Sequence, residues 1–390
     1  MPSPSQRIAE ISESDLEGWE VYTEAQRRNH AGAGVLMVCI GDHDFPTPYD
    51  SVDACKQALD GGHHNYSEIQ GQPALLEAMA RVSTKATGMQ VKTQEVVAMP
   101  GGQGGLYACM QAILNPGDHV VIVSPHYVTY PGTVRSAGGT FTLVEASPDN
   151  GFQPEAQKIK AAIQPNTKAV MINSPNNPTC AIYTAETLQA ISDVCIKEDV
   201  WLISDEVYWS LSNDQHISSR SLPGMKERTL VVQSMSKSHG MTGWRFGWVI
   251  APEEMVYFLT QHNLVSTYGM NDFISRAATI ALNEEIGVKE IAQTYRKRGE
   301  VFLEALSGAN GIRTMNEPGG MYFMLDIRAI SKDAQKFAFG LLDSENMAVM
   351  PGDSFGPSAA GHIRISLCQP EENLVEAATR LRRFASHYTE

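Results

Sequence analysis

The amino-acid sequence predicts an α/β fold with a mostly parallel central sheet flanked by helices. Short apolar runs rich in valine and isoleucine alternate with longer stretches whose apolar residues recur at helical spacing. Apolar strands separated by helices are typical of parallel sheets. Polar or glycine-rich loops follow most of these runs. Since ligands of such sheets bind beyond the carboxyl ends of the strands, we expect a functional site in these loops.

The predicted strands are short apolar runs that end at glycine, proline or polar residues. They are 35–40, 96–99, 120–123, 141–144, 169–172, 201–204, 229–233, 248–251, 321–325, 347–350 and 362–367. The predicted helices carry an apolar face and stop at glycine or proline. They are 14–29, 51–59, 71–86, 105–114, 185–197, 253–264, 272–282, 286–306, 333–342 and a last helix that starts at 370.

The length of 390 residues exceeds one typical hydrophobic core, which favours two domains. The regular alternation of strands and helices predicts a large domain over 48–285. The two chain ends, 1–47 and 286–390, predict a smaller α+β domain.

Composition excludes several classes of function. A net charge of −14 with no basic stripe argues against nucleic acid as the main partner. No apolar run reaches the length of about 18 residues that a membrane span needs, and the first residues lack the apolar core of a signal peptide. The cysteines are scattered, without CxxC spacing or metal-like histidine partners. We therefore expect a cytoplasmic protein with reduced thiols and no metal site.

One lysine, Lys237, lies in a small-residue loop predicted between two buried strands. An amine in such a place has little water around it, which lowers its pKa and favours the nucleophilic free form. Arg245, with a glycine two residues away on either side, presents a planar fork suited to a phosphate. Together they suggest pyridoxal phosphate as cofactor. The alternative is a surface loop with two ordinary basic residues.

Two further loops follow predicted strands. The glycine-rich turn 100–105, which contains Gly102 and Gln103, can offer backbone N–H groups to an anion. A plain turn explains it equally well, and its spacing does not match a dinucleotide-binding fingerprint. Tyr127 either stacks on a cofactor ring or packs in the core. We expect its neighbour His126 to be solvated or to cap a helix.

Polar side chains follow the next two predicted strands. Asn177 lies in a proline-bounded loop, where its amide can donate to a phenolate oxygen, although a turn before a helix is the alternative. Asp205 stands where a carboxylate would meet a ring nitrogen and keep it protonated. Tyr208, three residues on, can donate to the ring oxygen. We expect Glu206 to be a solvated or structural acid.

These loops together resemble the class I/II aminotransferases that use pyridoxal phosphate and have fold type I, and the resemblance covers nearly the full length. The motifs that carry it are Asn177-Pro178-Thr179-Cys180, Asp205 with Tyr208, Ser234 to Lys237, and Arg245 with Gly247. The resemblance implies a central sheet of that fold type with a smaller domain from both chain ends.

The resemblance also implies roles. Lys237 would hold the cofactor as the internal aldimine and move the proton, Asp205 would pair with the pyridine nitrogen, and Tyr127 would stack on the ring. Tyr208 and Asn177 would contact the ring hydroxyl. The groups implied for the phosphate are Gly102, Gln103, Ser234, Ser236 and Arg245. Those implied for the substrate carboxylate are Gly41, Asn177 and Arg364. Tyr66 would reach the phosphate of the neighbouring subunit, which implies an obligate homodimer.

Two segments depart from the family's pattern. Cys180 replaces the usual glycine, and Asp42-His43 replaces the usual Glu-Pro after Gly41. Both flank the site without removing a group that the chemistry needs, so they bear on loop geometry and on substrate preference. Within the family, segments 236–245 and 355–362 look most similar to the arginine:pyruvate aminotransferases.

The expected function is ping-pong transfer of an amino group between an L-amino acid and a 2-oxo acid, with arginine or another amino acid and pyruvate as substrates. Acidic side chains near Gly41, namely Asp42 and Asp44, fit a cationic donor. One alternative is a pyridoxal-phosphate-dependent carbon–sulfur β-lyase that acts on cysteine conjugates. Another is a non-catalytic regulator, against which intact Lys237 and Arg245 argue.

Overall fold

The computed structural model describes the whole chain except residues 1, 4, 6, 10, 12–18, 213–214, 316–319 and 389–390. The strands, in chain order, are β1 Leu36–Met37, β2 Val96–Met99, β3 His119–Ser124, β4 Thr140–Glu145, β5 Thr167–Asn173, β6 Trp201–Asp205, β7 Thr229–Ser234, β8 Gly247–Ile250, β9 Arg313–Thr314, β10 Tyr322–Asp326, β11 Met347–Ala348, β12 Met350–Pro351 and β13 His362–Ser366.

The helices alternate with these strands. They are α1 Glu20–His30, α2 Tyr49–Asp60, α3 Pro73–Thr87, α4 Gly101–Ile113, α5 Tyr130–Ser136, α6 Ala156–Ala162, α7 Ala185–Lys197, α8 Met235–Ser238, α9 Glu253–Ser266, α10 Asp272–Glu284, α11 Val288–Leu306, α12 Ala334–Glu345 and α13 Glu371–His387. Of these helices, none is both long enough and apolar enough to cross a membrane.

A seven-stranded sheet in the order β2-β8-β7-β6-β5-β3-β4 forms the centre of the molecule. Strand β8 runs antiparallel to both of its neighbours, and the other adjacent pairs are parallel. The register sets Asn173 opposite Asp205, and Ser234 opposite Gly247. The predicted, mostly parallel sheet is therefore confirmed, and its strand ends bring candidate site residues to one edge.

Except along the edge strand β4, both faces of this sheet are buried, as the continuous apolar runs predict. Alternate residues of β7 enter different layers: Val232 packs with Leu106 of α4, whereas Val231 packs with Leu75 of α3. A sheet covered by helices on both faces holds its strand ends rigidly. That rigidity is what lets the loops beyond the strands position side chains.

A second, antiparallel sheet has the order β12-β13-β10-β9, and a separate parallel pair joins β1 to β11. The pair sets Leu36 opposite Met347, so segments from near the two chain ends meet. In the antiparallel sheet, Arg364 on β13 lies opposite Met324 on one side and Met350 on the other. The boundaries of the two predicted domains stay a prediction.

Several elements differ from the sequence prediction. The predicted helix 14–29 corresponds to α1, and its residues 14–18 lie outside the described part of the chain. The predicted strand 347–350 is in fact two strands, β11 and β12, in separate sheets. The loop predicted around Lys237 is the one-turn helix α8. The local pattern of residues did not reveal the two strands or the one-turn helix, because contacts with segments distant in sequence decide them.

Candidate active site

A cavity of about 200 Å³ lies beyond the carboxyl ends of the large sheet, facing β10 and β13. Its lining includes every candidate site residue except Tyr66. The candidate residues that line the cavity are Gly41, Gly102, Gln103, Tyr127, Asn177, Asp205, Tyr208, Ser234, Ser236, Lys237, Arg245 and Arg364. Tyr66 lies outside this cavity, and 84% of its surface is exposed.

Lys237 is presented by α8, which begins directly at the end of β7. The Oγ of Ser234 caps this turn by accepting a hydrogen bond from the Ser236 N–H (3.1 Å). The Lys237 Nζ donates to the Gly41 carbonyl oxygen at 2.6 Å. Burial lowers the pKa of the Lys237 amine, and the positive charges of Arg364 and Arg245 act in the same direction. The cavity thus favours the free amine, which is the nucleophilic form.

Asp205 ends β6 and is almost completely buried. Its Oδ2 accepts a hydrogen bond from the Tyr130 hydroxyl at 2.6 Å, and its Oδ1 accepts a longer one from the Val207 N–H at 3.3 Å. Burial raises the pKa of Asp205 to about 6, against the lowering effect of these bonds. Tyr130 received no role in the sequence analysis. Its spacing of three residues from Tyr127 at the start of α5 is a weak signal for it.

Asn177 and Tyr208 belong to one hydrogen-bond network. The Asn177 Nδ2 donates to the Tyr208 hydroxyl at 3.1 Å, and the Asn177 Oδ1 accepts from the Arg364 Nη1 at 2.7 Å. The hydroxyls of Tyr208 and Tyr322 are 3.3 Å apart. Tyr322, on β10, was missed because the sequence does not show that β10 pairs with β13.

Arg364 extends from β13 into the cavity with its guanidinium over two aromatic rings, 4.4 Å from the centroid of Tyr322 and 4.7 Å from that of Phe355. Its Nη2 donates to the Cys39 carbonyl oxygen at 2.5 Å. The Nε is buried and has no hydrogen-bond partner in the described part of the chain. Because an unpaired buried charged donor is costly, this group fits an anionic ligand such as a carboxylate.

The opposite end of the cavity suits a phosphate. A Cβ at Gly101 would lie 2.6 Å from the Arg245 Nη2, and one at Gly102 would lie 3.1 Å from the Val207 Cγ1. The turn therefore needs glycine, and α4 starts at Gly101 with the free N–H groups of its first turn beside a guanidinium. The Oγ atoms of Ser234 and Ser236 are 2.9 Å apart in the same region.

Gln103 lines the cavity, but its side chain is already engaged. Its Oε1 accepts from the Thr129 hydroxyl at 2.7 Å, and its Nε2 donates to the Thr133 hydroxyl oxygen at 2.9 Å. These bonds fix α4 against α5. The backbone N–H of Gln103, in the first turn of α4, is the group that remains for an anion.

Two neighbouring side chains were uncertain from sequence. Glu206 is fully buried and structural, since it accepts hydrogen bonds from the hydroxyls of Ser204 (2.8 Å) and Ser218 (3.0 Å). The expectation of a solvated His126 is wrong. Its ring is buried with Nδ1 2.9 Å from the Tyr127 carbonyl oxygen, because the chain folds back under the 355–358 segment.

The two departures from the family pattern contact residues that line the cavity. Cys180 has φ of 54°, in the left-handed region that glycine adopts freely, and its Sγ donates to the Tyr322 carbonyl oxygen at 3.4 Å. The Asp42 Oδ1 accepts from the Thr242 hydroxyl at 2.7 Å. Asp44 forms a bidentate ion pair with Arg298 (2.7 and 2.8 Å), so its charge is already compensated.

Comparisons with known proteins identify the family of the chain. Residues 33–381 match the family described as aminotransferase class I and II. The arginine–pyruvate transaminase of Pseudomonas aeruginosa is 40% identical over 93% of this chain and 93% of its own. The aspartate/prephenate aminotransferase of Thermus thermophilus is 36% identical over 93% of this chain and 94% of its own. The solved aspartate aminotransferase from Thermus thermophilus with maleate superposes with a TM-score of 0.91 at 34% identity, covering 98% of this chain and 100% of that chain.

Proposed function

The chain belongs to the aminotransferase class I and II family and is a transaminase, and from this premise we propose that it binds pyridoxal phosphate through Lys237. The observation that carries the proposal is the convergence, in one cavity, of the buried Lys237 amine, the buried Asp205 carboxylate and the Arg364 guanidinium. None of the relatives named above is a carbon–sulfur lyase, and we do not propose that activity.

The residues present fit this cofactor. Asp205, whose pKa burial raises to about 6, would be kept ionised by a positively charged ring nitrogen. Tyr127 also lines the cavity, and its ring would stack on that of the cofactor. The glycine turn with Arg245, Ser234 and Ser236 would take the phosphate.

When bound, pyridoxal phosphate withdraws electrons from the substrate α-carbon and carries the amino group between substrates. The chain's own residues orient the substrate. Arg364, whose Nε has no hydrogen-bond partner among the described residues, would hold the substrate carboxylate. Gly41 leaves room beside it, because a Cβ there would lie 1.8 Å from the Tyr322 hydroxyl oxygen. Asn177 fixes the guanidinium and the Tyr208 hydroxyl relative to each other.

Lys237 would act as base and then as acid. In the described part of the chain, its Nζ has one hydrogen-bond partner, the carbonyl oxygen of Gly41. A neutral amine can take the proton from the substrate α-carbon and return it at the cofactor side. Burial lowers the pKa of this amine from the ordinary lysine value, which supports such a role.

The decisive experiment is covalent capture. We expect purified protein given pyridoxal phosphate to become coloured, and borohydride to fix the cofactor mass on Lys237 alone. Lys237→Ala should lose the adduct and at least about 10⁴-fold in kcat, because both the covalent link and the proton transfer depend on this amine. A wild-type protein that stays colourless, or a variant that keeps full turnover, would contradict the proposal.

For the amino donor, we propose a cationic amino acid with pyruvate as acceptor. Support comes from the relative that is 40% identical and from Asp42, which reaches Thr242 at the edge of the cavity. The apolar side chains of Trp19, Ile40 and Met350 line the cavity and suit a long aliphatic stem. A donor panel with pyruvate decides this. We expect arginine to be fastest, and Asp42→Asn to raise its KM about tenfold while leaving neutral donors unchanged. Fast aromatic donors with inert arginine would refute it.

We also propose a homodimer in which Tyr66 serves the neighbouring site, in the cytoplasm. Tyr66 packs against Tyr268 with ring centroids 4.7 Å apart, and both rings are exposed on this protomer. Other large apolar side chains are exposed on α2 and α9, namely Tyr49, Tyr257, Phe258, Leu264 and Val265. Exposed apolar clusters of this kind indicate a protein interface.

A further inference from the structure

His43, which stands where the family usually has proline, bridges the lysine-bearing turn and a helix of the C-terminal part. Its Nε2 lies 2.9 Å from the carbonyl oxygen of Ser236, the residue before Lys237. Its Nδ1 lies 2.7 Å from the hydroxyl of Tyr295 on α11. Proline could make neither contact. The same loop receives the Lys237 amine at Gly41, so the lysine is attached to it both through its own side chain and through its neighbour's backbone.

The partners determine which nitrogen of the ring carries the hydrogen. A carbonyl oxygen only accepts, so Nε2 must donate to Ser236. In a neutral ring Nδ1 is then an acceptor, and the Tyr295 hydroxyl donates to it. The Tyr295 oxygen is in turn 3.4 Å from the Cys368 Sγ. Neutral His43 therefore satisfies the whole network.

The surroundings of the ring keep it neutral. Burial lowers the pKa of His43 to about 4, against the raising effect of the hydrogen bond to the Ser236 carbonyl and of the carboxylates of Asp42 and Asp44. Asp44 is compensated by Arg298. The remaining titratable neighbours, Tyr295 and Cys368, have pKa values raised by burial and stay uncharged at neutral pH.

His43 also separates two spaces. The lysine faces the cavity, whereas His43, Asp42, Asp44 and Gln369 line a cleft that opens to the surface. The ring packs against Phe45 and Tyr295, with centroids 4.8 and 5.6 Å away. Removing it would bring water and acidic side chains closer to the turn that carries Lys237.

We propose that His43 is a positioning residue for Lys237: its neutral ring ties the lysine-bearing turn to α11 and closes that turn off from the surface cleft. This inference rests on the proposed function, because the properties that it predicts to change are those of the linkage between Lys237 and the cofactor.

The test compares His43→Ala, His43→Gln and Tyr295→Phe as holoenzymes. Visible absorption followed over pH reports the pKa of the cofactor–lysine linkage. We expect His43→Ala to raise that pKa, because water and Asp42 stabilise a positive charge there. We also expect a single-turnover rate lower by about tenfold, with KM changed by less than about twofold. His43→Gln keeps an N–H for the Ser236 carbonyl oxygen, so its linkage pKa and its single-turnover rate should both stay close to the wild-type values. Tyr295→Phe should also raise the linkage pKa, but by less than His43→Ala.

His119→Gln is the matched control. Like His43, His119 has both ring nitrogens paired, here with the hydroxyls of Thr167 (2.8 Å) and Thr142 (2.9 Å), but it is buried at the start of β3, away from the carboxyl ends of the parallel strands. It should lower thermal stability without moving the absorption titration. If the His43 variants behave like this control, the inference is wrong while the proposed function stands. If wild-type protein shows no cofactor fixed on Lys237, both fall. Should His43→Ala fail to fold, His43→Gln and Tyr295→Phe still decide between these outcomes.

Discussion

Asp205 and Tyr130 form a buried pair whose charge depends on their surroundings. The carboxylate has one short hydrogen bond, from the Tyr130 hydroxyl, and burial raises its pKa to about 6. A group with a raised pKa becomes protonated in the folded protein as the pH falls through that value. Since only the ionised form pairs with a charged ring nitrogen, cofactor affinity should fall as the pH drops below about 6.

Tyr130→Phe tests this pair. Without the hydroxyl, the ionised Asp205 loses its shortest hydrogen bond, so the pKa rises further and the loss of cofactor affinity begins at a higher pH. We expect an upward shift of about one pH unit in the inflection of binding against pH, measured by fluorescence on the apoprotein. The cofactor's own phosphate titrates equally in both proteins, and Asp205→Asn should remove the protein's contribution. If Tyr130→Phe left the inflection of cofactor binding against pH unchanged, the hydrogen bond from Tyr130 would not control the charge of Asp205.

Several site residues were predictable singly because each follows a strand of recognisable pattern. Asp205, Asn177 and Lys237 come at or just after the ends of β6, β5 and β7, and all three line the cavity. Tyr322 and His43 were not predictable as site residues. Their contacts are made to segments more than 100 positions away, and no local periodicity reports such contacts.

At the scale of elements, the start of α4 shows how packing decides a boundary. The sequence predicts a glycine turn before a helix at 105, yet the helix begins at Gly101. A Cβ at Gly105 would lie 3.1 Å from the Val249 Cγ2 and 3.2 Å from the Val232 Cγ1. Glycine is needed at this position because the helix packs closely on β7 and β8. The close packing of the helix on the sheet therefore outweighs the low helix propensity of glycine.

The one-turn helix α8 is a second case. Small residues around Lys237 indicate a loop, since serine side chains compete with helical hydrogen bonds and glycine loses the most backbone entropy in a helix. In the structure Ser234 uses this property as an N-cap, and the Ser238 hydroxyl donates back to the Ser234 carbonyl oxygen at 3.2 Å. The turn is stabilised by side chains and by the loop that carries His43, which aims the lysine into the cavity.

At the scale of the whole molecule, Tyr66 distinguishes a monomeric from a shared site. It is a candidate for binding the phosphate, but it lies outside the cavity of its own protomer, exposed beside Tyr268. If the proposed dimer forms, each site contains Lys237 from one chain and Tyr66 from the other. A single protomer would then be incomplete, which can be tested by mixing damaged chains.

We expect mixed dimers of Lys237→Ala and Tyr66→Ala chains to recover activity at limiting cofactor. One of their two sites has Lys237 from the second chain and an intact Tyr66 from the first, so about half of the wild-type rate per dimer returns. Cofactor titration of co-expressed, separately tagged chains measures it. Lys237→Ala mixed with Asp205→Asn is the control, because both lesions lie in the same cavity and no mixed site is intact. Recovery no greater than the sum of the parent dimers would refute the sharing of Tyr66.

Sequence alone was enough to predict the α/β class, most strands and helices of the central sheet, the family, and the side chains that follow the strands, because each depends on a local pattern of polarity and on motif spacing. Tertiary structure alone decided that β8 runs against its neighbours, that β11 and β12 belong to different sheets, and that Tyr322 and His43 contact the site. These features depend on contacts between distant segments, and close packing selects those contacts in ways that no stretch of chain records alone.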